Sequence, residues 1–280
     1  MATKAPKQAS SLSSSFLTLR ADPAPAARWA LGFGAVAFIV LVWWFLTRGA
    51  SAEVRIISPV LLPSPGEVVR SLPGLVRERD LFASLAATLQ RVLAGFALAI
   101  LVGVPLGILA GTSGAFKAAA APVALFMRNI PVAVLIPLTI FWFGIDEKQK
   151  VAFIFLATVP FIFSDAVAAV LAVPERFVET AQTLGAKSHQ IVGKVLVPLA
   201  MPDIYTSLRS LFGLAFGYIM LAELINSKHG LGYLINTSQR RGQTEDIFMI
   251  LIVIGLVAYL IDRVLLLFQR GFFPYRSAKE

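Results

Sequence analysis

The stretch that decides the fold is VPERFVETAQTLGAKSHQIVGKVLVPLAMP, residues 173–202. Charges and hydroxyls crowd it, yet apolar blocks at 151–173 and 204–225 flank it on both sides. Pro174 at a first helical position, with Phe177, Ala181 and Leu184 at i, i+4 and i+7 spacing, predicts a short amphipathic helix. Gly185 suits the left-handed position that ends such a helix. Ser188 is expected to cap a second short helix carrying Ile191, Val192 and Val195, which Pro198 would interrupt. The stretch therefore reads as a polar helix–turn–helix set between two membrane spans.

The rest of the chain is apolar enough to make that reading consistent. Hydrophobic residues make up 57% and charged residues 15%, and mean hydropathy is +0.77, outside the range of soluble domains. The chain has no cysteine, which excludes disulfides, thiolate metal sites and cysteine nucleophiles. Its net charge of +9 would suit nucleic acid in a soluble protein, but cationic loops against anionic headgroups explain it better here, and no nucleic-acid partner is expected.

Working outward, six apolar blocks predict six transmembrane helices: 29–47, 83–111, 118–143, 151–173, 204–225 and 247–268. The first exceeds a signal-peptide h-region despite the cleavage-like ASA at 50–52, so it reads as a retained span. Pro122, Pro131 and Pro137 break the third. Lys4, Lys7, Arg20 and Arg28 precede the first span, which favours an internal N-terminus and, after six crossings, an internal C-terminus. The organisation expected is a flexible cytoplasmic tail (1–28), a first span (29–47) and a periplasmic segment (48–82). A five-helix core (83–270) containing the 174–202 loop follows, then a second cytoplasmic tail (271–280). Within the periplasmic segment, Ser64, Pro65 and Glu67 form a capping-box pattern opening a short helix that Pro73 ends or bends. Val68, Val69 and Leu72 give that helix an apolar side expected to lie on the outer membrane surface.

The polar stretch resembles the cytoplasmic EAA signature of binding-protein-dependent ABC importer permeases: Glu-Ala-Ala, three residues, Gly, nine residues, then Ile-x-Leu-Pro. Glu179, Ala181, Gly185 and Pro198 match by identity, Thr180 replaces the first Ala, and Val195 and Val197 replace Ile and Leu. LPSPGEV at 62–68, RVLAGFALAILVGVPLGILAG at 91–111, RNIPVAVLIPLTIFWFGI at 128–145 and LAELINSKHGLGYLI at 221–235 are similar to elements of the nitrate, sulfonate and taurine branch.

The resemblance implies an all-α integral membrane fold of the type I importer class, in a bacterial inner membrane. It implies a pore subunit paired with a second copy of itself, two separate ATPase subunits that bind ATP-Mg, and a solute-binding protein. Residues 174–202 would dock on the ATPase, with Glu179, Ala181, Gly185, Val195, Val197 and Pro198 as coupling residues. The chain has no Gly-x4-Gly-Lys loop, so the motor would be a separate polypeptide, with neither cofactor nor catalytic residue in this one. The expected cargo is a small anion of the nitrate, sulfonate, taurine or bicarbonate type.

Ionisable and polar residues inside the spans are the remaining candidates. Arg128 and Asn129 stand at the broken third span. Arg128 would either touch a passing anion or serve a structural or gating role, and its wide occurrence in such permeases favours the second. Glu223 is expected near the outer end of its span, in an outer gate or in the binding-protein dock, and to be paired, and Tyr218 is a candidate for the pathway lining, though aromatic residues in membrane helices more often serve packing. Asp165 and Arg209 are expected to pair with each other, whereas Arg91, Asp262 and Arg263 read as snorkelling residues near helix ends. The alternative is a secondary transporter driven by an ion gradient, which would need inverted repeats and a carboxylate relay that the sequence does not display.

Overall fold

A computed structural model describes residues 24–49, 55–225 and 227–274. Among them are eleven α-helices and no strand. The chain divides into two units, residues 1–67 and 68–280. The tail residues 1–23 and 275–280, and the ASA segment, lie outside the described residues.

In the first unit, α1 (Pro25–Leu46) begins at a proline, where a missing N–H is harmless, four residues before the expected start of the span. Its apolar side chains are exposed around the whole circumference, as suits a helix solvated by lipid. From its last turn, the Trp43 indole donates to the Pro63 carbonyl at 2.9 Å. The expected capping box is formed: Glu67 N–H donates to Ser64 Oγ at 3.3 Å, and Ser64 N–H donates to Glu67 Oε2 at 2.8 Å. Arg55 adds a bidentate fork on Glu67, at 2.8 and 3.0 Å. Arg55 and the Ser64 N–H together hold the Glu67 carboxyl well below its usual value, at about 2.

This box opens α2 (Pro65–Arg77), which runs through Pro73 rather than ending there. Val68 and Leu75 are buried within the protein, whereas Val69 and Leu72 are exposed. The apolar side expected to rest on the membrane is thus split, and its Val68 edge serves packing instead.

The second unit is organised by α3 (Leu81–Thr112) and α6 (Glu147–Leu171). The two lie parallel: Gly95 meets Ile154, Gly103 meets Ile162, Gly107 meets Ala166 and Gly111 meets Val170, in ascending order on both. A Cβ at any of these four glycines would come within 2.5–2.8 Å of α6, so their smallness sets the interhelical distance. Two parallel neighbours need a return crossing. It is supplied by α4 (Gly114–Arg128), a short 3₁₀ turn (Val132–Val134) and α5 (Leu135–Phe143), with an 88° bend at the break. The expected third span is thus two half-length helices that part at Asn129–Pro131.

On the other side of this pair lies a long continuous helix. α7 (Glu175–Thr183) precedes it, and α8 (Ser188–Ile191), a π-helical turn (Val192–Leu196) and α9 (Val197–Glu223) make up one 36-residue helix. Pro198 does not interrupt it, contrary to the expectation from sequence. In a regular α-helix the proline ring would clash with the carbonyl of residue 194, and the wide turn at 192–196 relieves that conflict. Lys187, not Ser188, is the N-cap: its N–H donates to Gln190 Oε1 at 2.9 Å. α9 packs through Ala200 and Ile204 against Ala166, Ala169 and Val170, and through Phe212 edge-on to Phe96 at 5.3 Å.

α10 (Leu231–Arg240) and α11 (Thr244–Phe272) complete the unit. Among the described residues, five helices have the length and apolarity to cross a membrane, and the bent α4–α5 pair makes six. The expected Asp165–Arg209 pair does not form. Arg209 Nε instead meets Asp262 of α11 at 2.7 Å, and its Nη1 donates to Gln269 at 3.0 Å. Asp262 is therefore an ion-pair partner rather than a snorkelling residue, while Arg263 lies over the Tyr259 ring.

Candidate functional site

Two polar sites occupy opposite ends of the 36-residue helix. The first is the 174–198 segment. Pro174 is the N-cap of α7, one position earlier than expected. Gly185 takes φ +77°, its N–H donates to the Gln182 carbonyl at 2.8 Å, and Ala186 N–H donates to the Ala181 carbonyl at 3.0 Å. These two bonds are the Schellman termination, which only a residue free to adopt positive φ supplies without strain. Thr180 at the Ala position turns its hydroxyl back to the Arg176 carbonyl at 2.7 Å, so the substitution leaves no stranded donor. Glu179 is exposed, Ala181 half-buried and Leu184 81% exposed. Val195 and Val197 are half-buried in and beyond the π turn, and Pro198 is exposed. A rigid, well-terminated helix thus presents an acid and a large apolar side chain outward.

The second site was largely missed by sequence reasoning. Arg91 is not a snorkelling residue: it is 5% exposed and joins three helices and a loop. Its Nη1 donates to Glu223 Oε1 and to the His229 carbonyl, both at 2.8 Å, and its Nε and Nη2 donate to Glu147 at 2.5 and 2.7 Å. Glu223 is 0% exposed and, besides Arg91, accepts from Thr88 Oγ1 at 2.8 Å and from Gly232 N–H at 3.0 Å. Leu231 N–H in turn donates to Thr88 Oγ1 at 2.9 Å. Lys150, one turn after Glu147, is enclosed beside them.

The Gly-Leu-Gly element at 230–232 is explained by this cluster. A Cβ on Gly230 (φ +140°) would sit 2.5 Å from the Glu223 carboxylate, and one on Gly232 would sit 2.6 Å from the Met220 carbonyl. Leu231 between them is wholly buried. Gly230 lets the backbone pass close against the buried carboxylate, and Gly232 lets its own N–H donate to it. At its other end, α10 is held through Arg79, which donates to Ser238 at 2.8 Å and to Gln243, and pairs with Asp246 at 3.2 Å. The signal available in the sequence was DEKQK at 146–150: read as a loop, it is the N-cap and first turn of α6, where Asp146 caps through Glu147 N–H at 2.8 Å.

The other candidates stand apart from both sites. Arg128 ends α4, exposed, with its guanidinium 5.0 Å from the centre of the Phe161 ring near the middle of α6. Asn129 caps that helix end and turns its amide back to the Leu125 carbonyl at 2.8 Å. Tyr218 is half-buried beside an exposed α9 face formed by Ser210, Gly213, Leu214, Gly217 and Leu221.

A parallel helix pair locked by glycines, a bent return pair and a polar segment at one end of a long helix define a multi-pass transport permease. The chain belongs to the family of binding-protein-dependent transport system inner membrane components, which matches residues 103–275. It is 32% identical to the taurine transport system permease protein TauC of Escherichia coli over 88% of this chain and 90% of that protein. It is 29% identical to the putative aliphatic sulfonates transport permease protein SsuC of Bacillus subtilis over 90% of each chain. The nitrate import permease protein NrtB of Leptolyngbya laminosa is 29% identical over 81% of this chain and 82% of that protein. A solved chain of the MetNI methionine ABC transporter superposes with a TM-score of 0.63 at 21% identity, covering 68% of this chain and 95% of that chain. The fold is therefore that of an ABC importer permease.

Proposed function

We propose that the chain forms, with a second copy of itself, the pore of an ATP-driven importer in a bacterial inner membrane, carrying a small anion. A solute-binding protein delivers the anion on the outside, and two separate ATPase subunits, which bind ATP-Mg, act on the inside. The chain itself is not an enzyme and holds no cofactor. Both termini lie in the cytoplasm, and the 174–202 segment is the coupling loop. The organisation follows: tails at 1–28 and 271–280, a first span at 29–47, a periplasmic segment at 48–82 and a permease core at 83–270. Relatives that carry taurine, sulfonates and nitrate by name support the anion.

The observation that carries this reading is the exposed, Schellman-terminated α7 at one end of a helix about 54 Å long. Such a helix is longer than the ~30 Å hydrocarbon layer, so an end projects beyond it. Glu179 offers a charge-assisted bond to a basic residue of the ATPase, Ala181 permits close approach, and Gly185 sets the turn. Val195, Val197 and Pro198 carry a push across the π turn into α9. Arg128 and Asn129 at the helix break act as a gate, Tyr218 lines the pathway with the exposed α9 face, and Glu223 holds the outer end closed.

The test is ATPase activity in vesicles containing this chain, its cognate ATPase and a loaded binding protein. Glu179→Ala is expected to weaken the permease–ATPase contact by ~2–5 kcal/mol and abolish stimulation by the binding protein. Solute uptake that follows an imposed proton or sodium gradient without the ATPase would refute the reading.

A further inference from the structure

Four ionisable side chains meet in the cluster around Arg91, and their exposures are unequal. Arg91, Lys150 (2%) and Glu223 are enclosed, whereas the Glu147 side chain is 61% exposed. Glu147 nevertheless occupies the Nε–Nη2 edge of the guanidinium in a parallel fork, the geometry that binds planar oxyanions best. A cleft of about 380 Å³ opens beside this fork, lined among others by Gln90, Arg91, Glu147, Val151 and His229.

Charge balance decides what the cleft does. Lys150 lies within electrostatic reach of Arg91, Glu147 and Glu223. With Glu147 in place, two cations meet two carboxylates. If Glu147 swings into solvent, Arg91 and Lys150 face Glu223 alone, and an enclosed positive charge remains uncompensated, which a low-dielectric site tolerates poorly. The neighbouring Asp146 also acts electrostatically on Lys150 and Glu147, but it is exposed, caps the Glu147 N–H and does not occupy the Nε–Nη2 edge of Arg91. The site therefore requires one anion on the Nε–Nη2 edge, and the enclosed carboxylate of this cluster, Glu223, is already committed to Nη1, Thr88 and Gly232.

We propose that this cleft is an oxyanion-binding site in which the exposed Glu147 carboxylate stands in for a soluble nitrate, carboxylate or sulfonate group that takes its place on Arg91. It deepens the anion reading above: the site lies at the end of the core helices opposite the coupling segment, where solute enters. Glu147 acts as an internal competitor, keeping the site neutral when no solute is present and lowering its affinity so that the anion is released onward. A lipid headgroup carries the same oxyanion chemistry, and the test separates the two sources.

The full chain in phosphatidylcholine nanodiscs is titrated with sodium nitrate and with sodium methanesulfonate at constant ionic strength, and binding is read by calorimetry. Glu147→Gln keeps Arg91, Thr88 and Glu223 intact and is expected to bind about tenfold tighter than the unaltered chain. Val151→Phe, which fills the cleft without touching a charge, is expected to remove that binding, as is Arg91→Lys, which lacks the fork. Equal affinity in Glu147→Gln and the unaltered chain overturns the proposal, as does binding that survives Val151→Phe. So does a Glu147→Gln chain that responds to added phosphatidylglycerol and to neither soluble anion. Flat titrations alongside intact ATP-driven uptake remove this site and leave the anion reading standing, whereas tight binding without ATP-driven uptake does the reverse.

Discussion

The two ends of the Ser188–Glu223 helix handle polar groups in opposite ways. At the 174–198 end, Glu179 and Leu184 project outward, and neither is enclosed by the rest of the chain. At the other end, every hydrogen-bonding edge of Arg91 is used and Glu223 receives donors from two elements, Thr88 and Arg91 of α3 and Gly232 of α10. The first leaves an acid and a large apolar side chain on the surface; the second is an enclosed joint of Thr88, Arg91 and Glu223 that ties α3, α9 and the start of α10 to one another, with the exposed Glu147 of α6 at its rim.

The largest effect that breaks this contrast comes from removing one partner of the joint. Arg91→Ala leaves Glu223 buried without its cation, and about 3–5 kcal/mol of stability is expected to be lost, measured by unfolding in mixed micelles. Arg91→Ala combined with Glu223→Ala should lose less than the two single changes added together, because the double variant strands no charge. Glu179→Ala, by contrast, should leave the unfolding of the chain unchanged. If the Arg91 and Glu179 variants unfold alike, the closed-joint and open-surface distinction is wrong.

A smaller effect sharpens the same comparison within the loop. Gly230→Ala would place a methyl 2.5 Å from the Glu223 carboxylate and 2.8 Å from Arg91 Nη1, at a φ of +140°. Overpacking of this kind costs about 1–3 kcal/mol. Gly185→Ala strains the backbone at φ +77° but meets no neighbour within 4 Å, so its loss should be smaller than that of Gly230→Ala. Parallel unfolding curves of the two variants decide the ranking.

The open end was legible in the sequence and the closed one was not, for a physical reason. Helix termination at Gly185 is local: a glycine, a short amphipathic run and two backbone bonds within six residues. The motif from Glu179 to Pro198 is likewise a matter of spacing along one segment. The joint is assembled from Arg91 and Glu223, 132 residues apart, and from a helix turn at 147–150 whose charges resembled a loop. Glu223 was expected to be paired, but nothing in the spacing named Arg91. Asp165 and Arg209 were matched by depth in the membrane, whereas the pairing observed, Arg209 with Asp262, depends on which helix lies alongside. Pro198 shows the converse limit, since a local rule expected a break and one wide π turn absorbed it.

Between the two extremes lies the Arg55–Glu67 fork, half-exposed and outside the spans, which tests how far partial burial carries a charge pair. Glu67 is held at about 2 against an ordinary value of 4.5, by Arg55 first and the Ser64 N–H second. Because the folded value is the lower one, the box is stabilised above pH 4.5, and that contribution is lost as pH falls from there toward 2. Amide-exchange protection at Ser64 and Glu67, taken relative to an unstructured chain at the same pH, should fall over that window, and Glu67→Gln should remove the dependence while leaving the Ser64 hydroxyl as cap. An unchanged profile in Glu67→Gln would assign the protection to the hydroxyl alone. The charge of Glu67 would then contribute as little to local order as an isolated surface pair does.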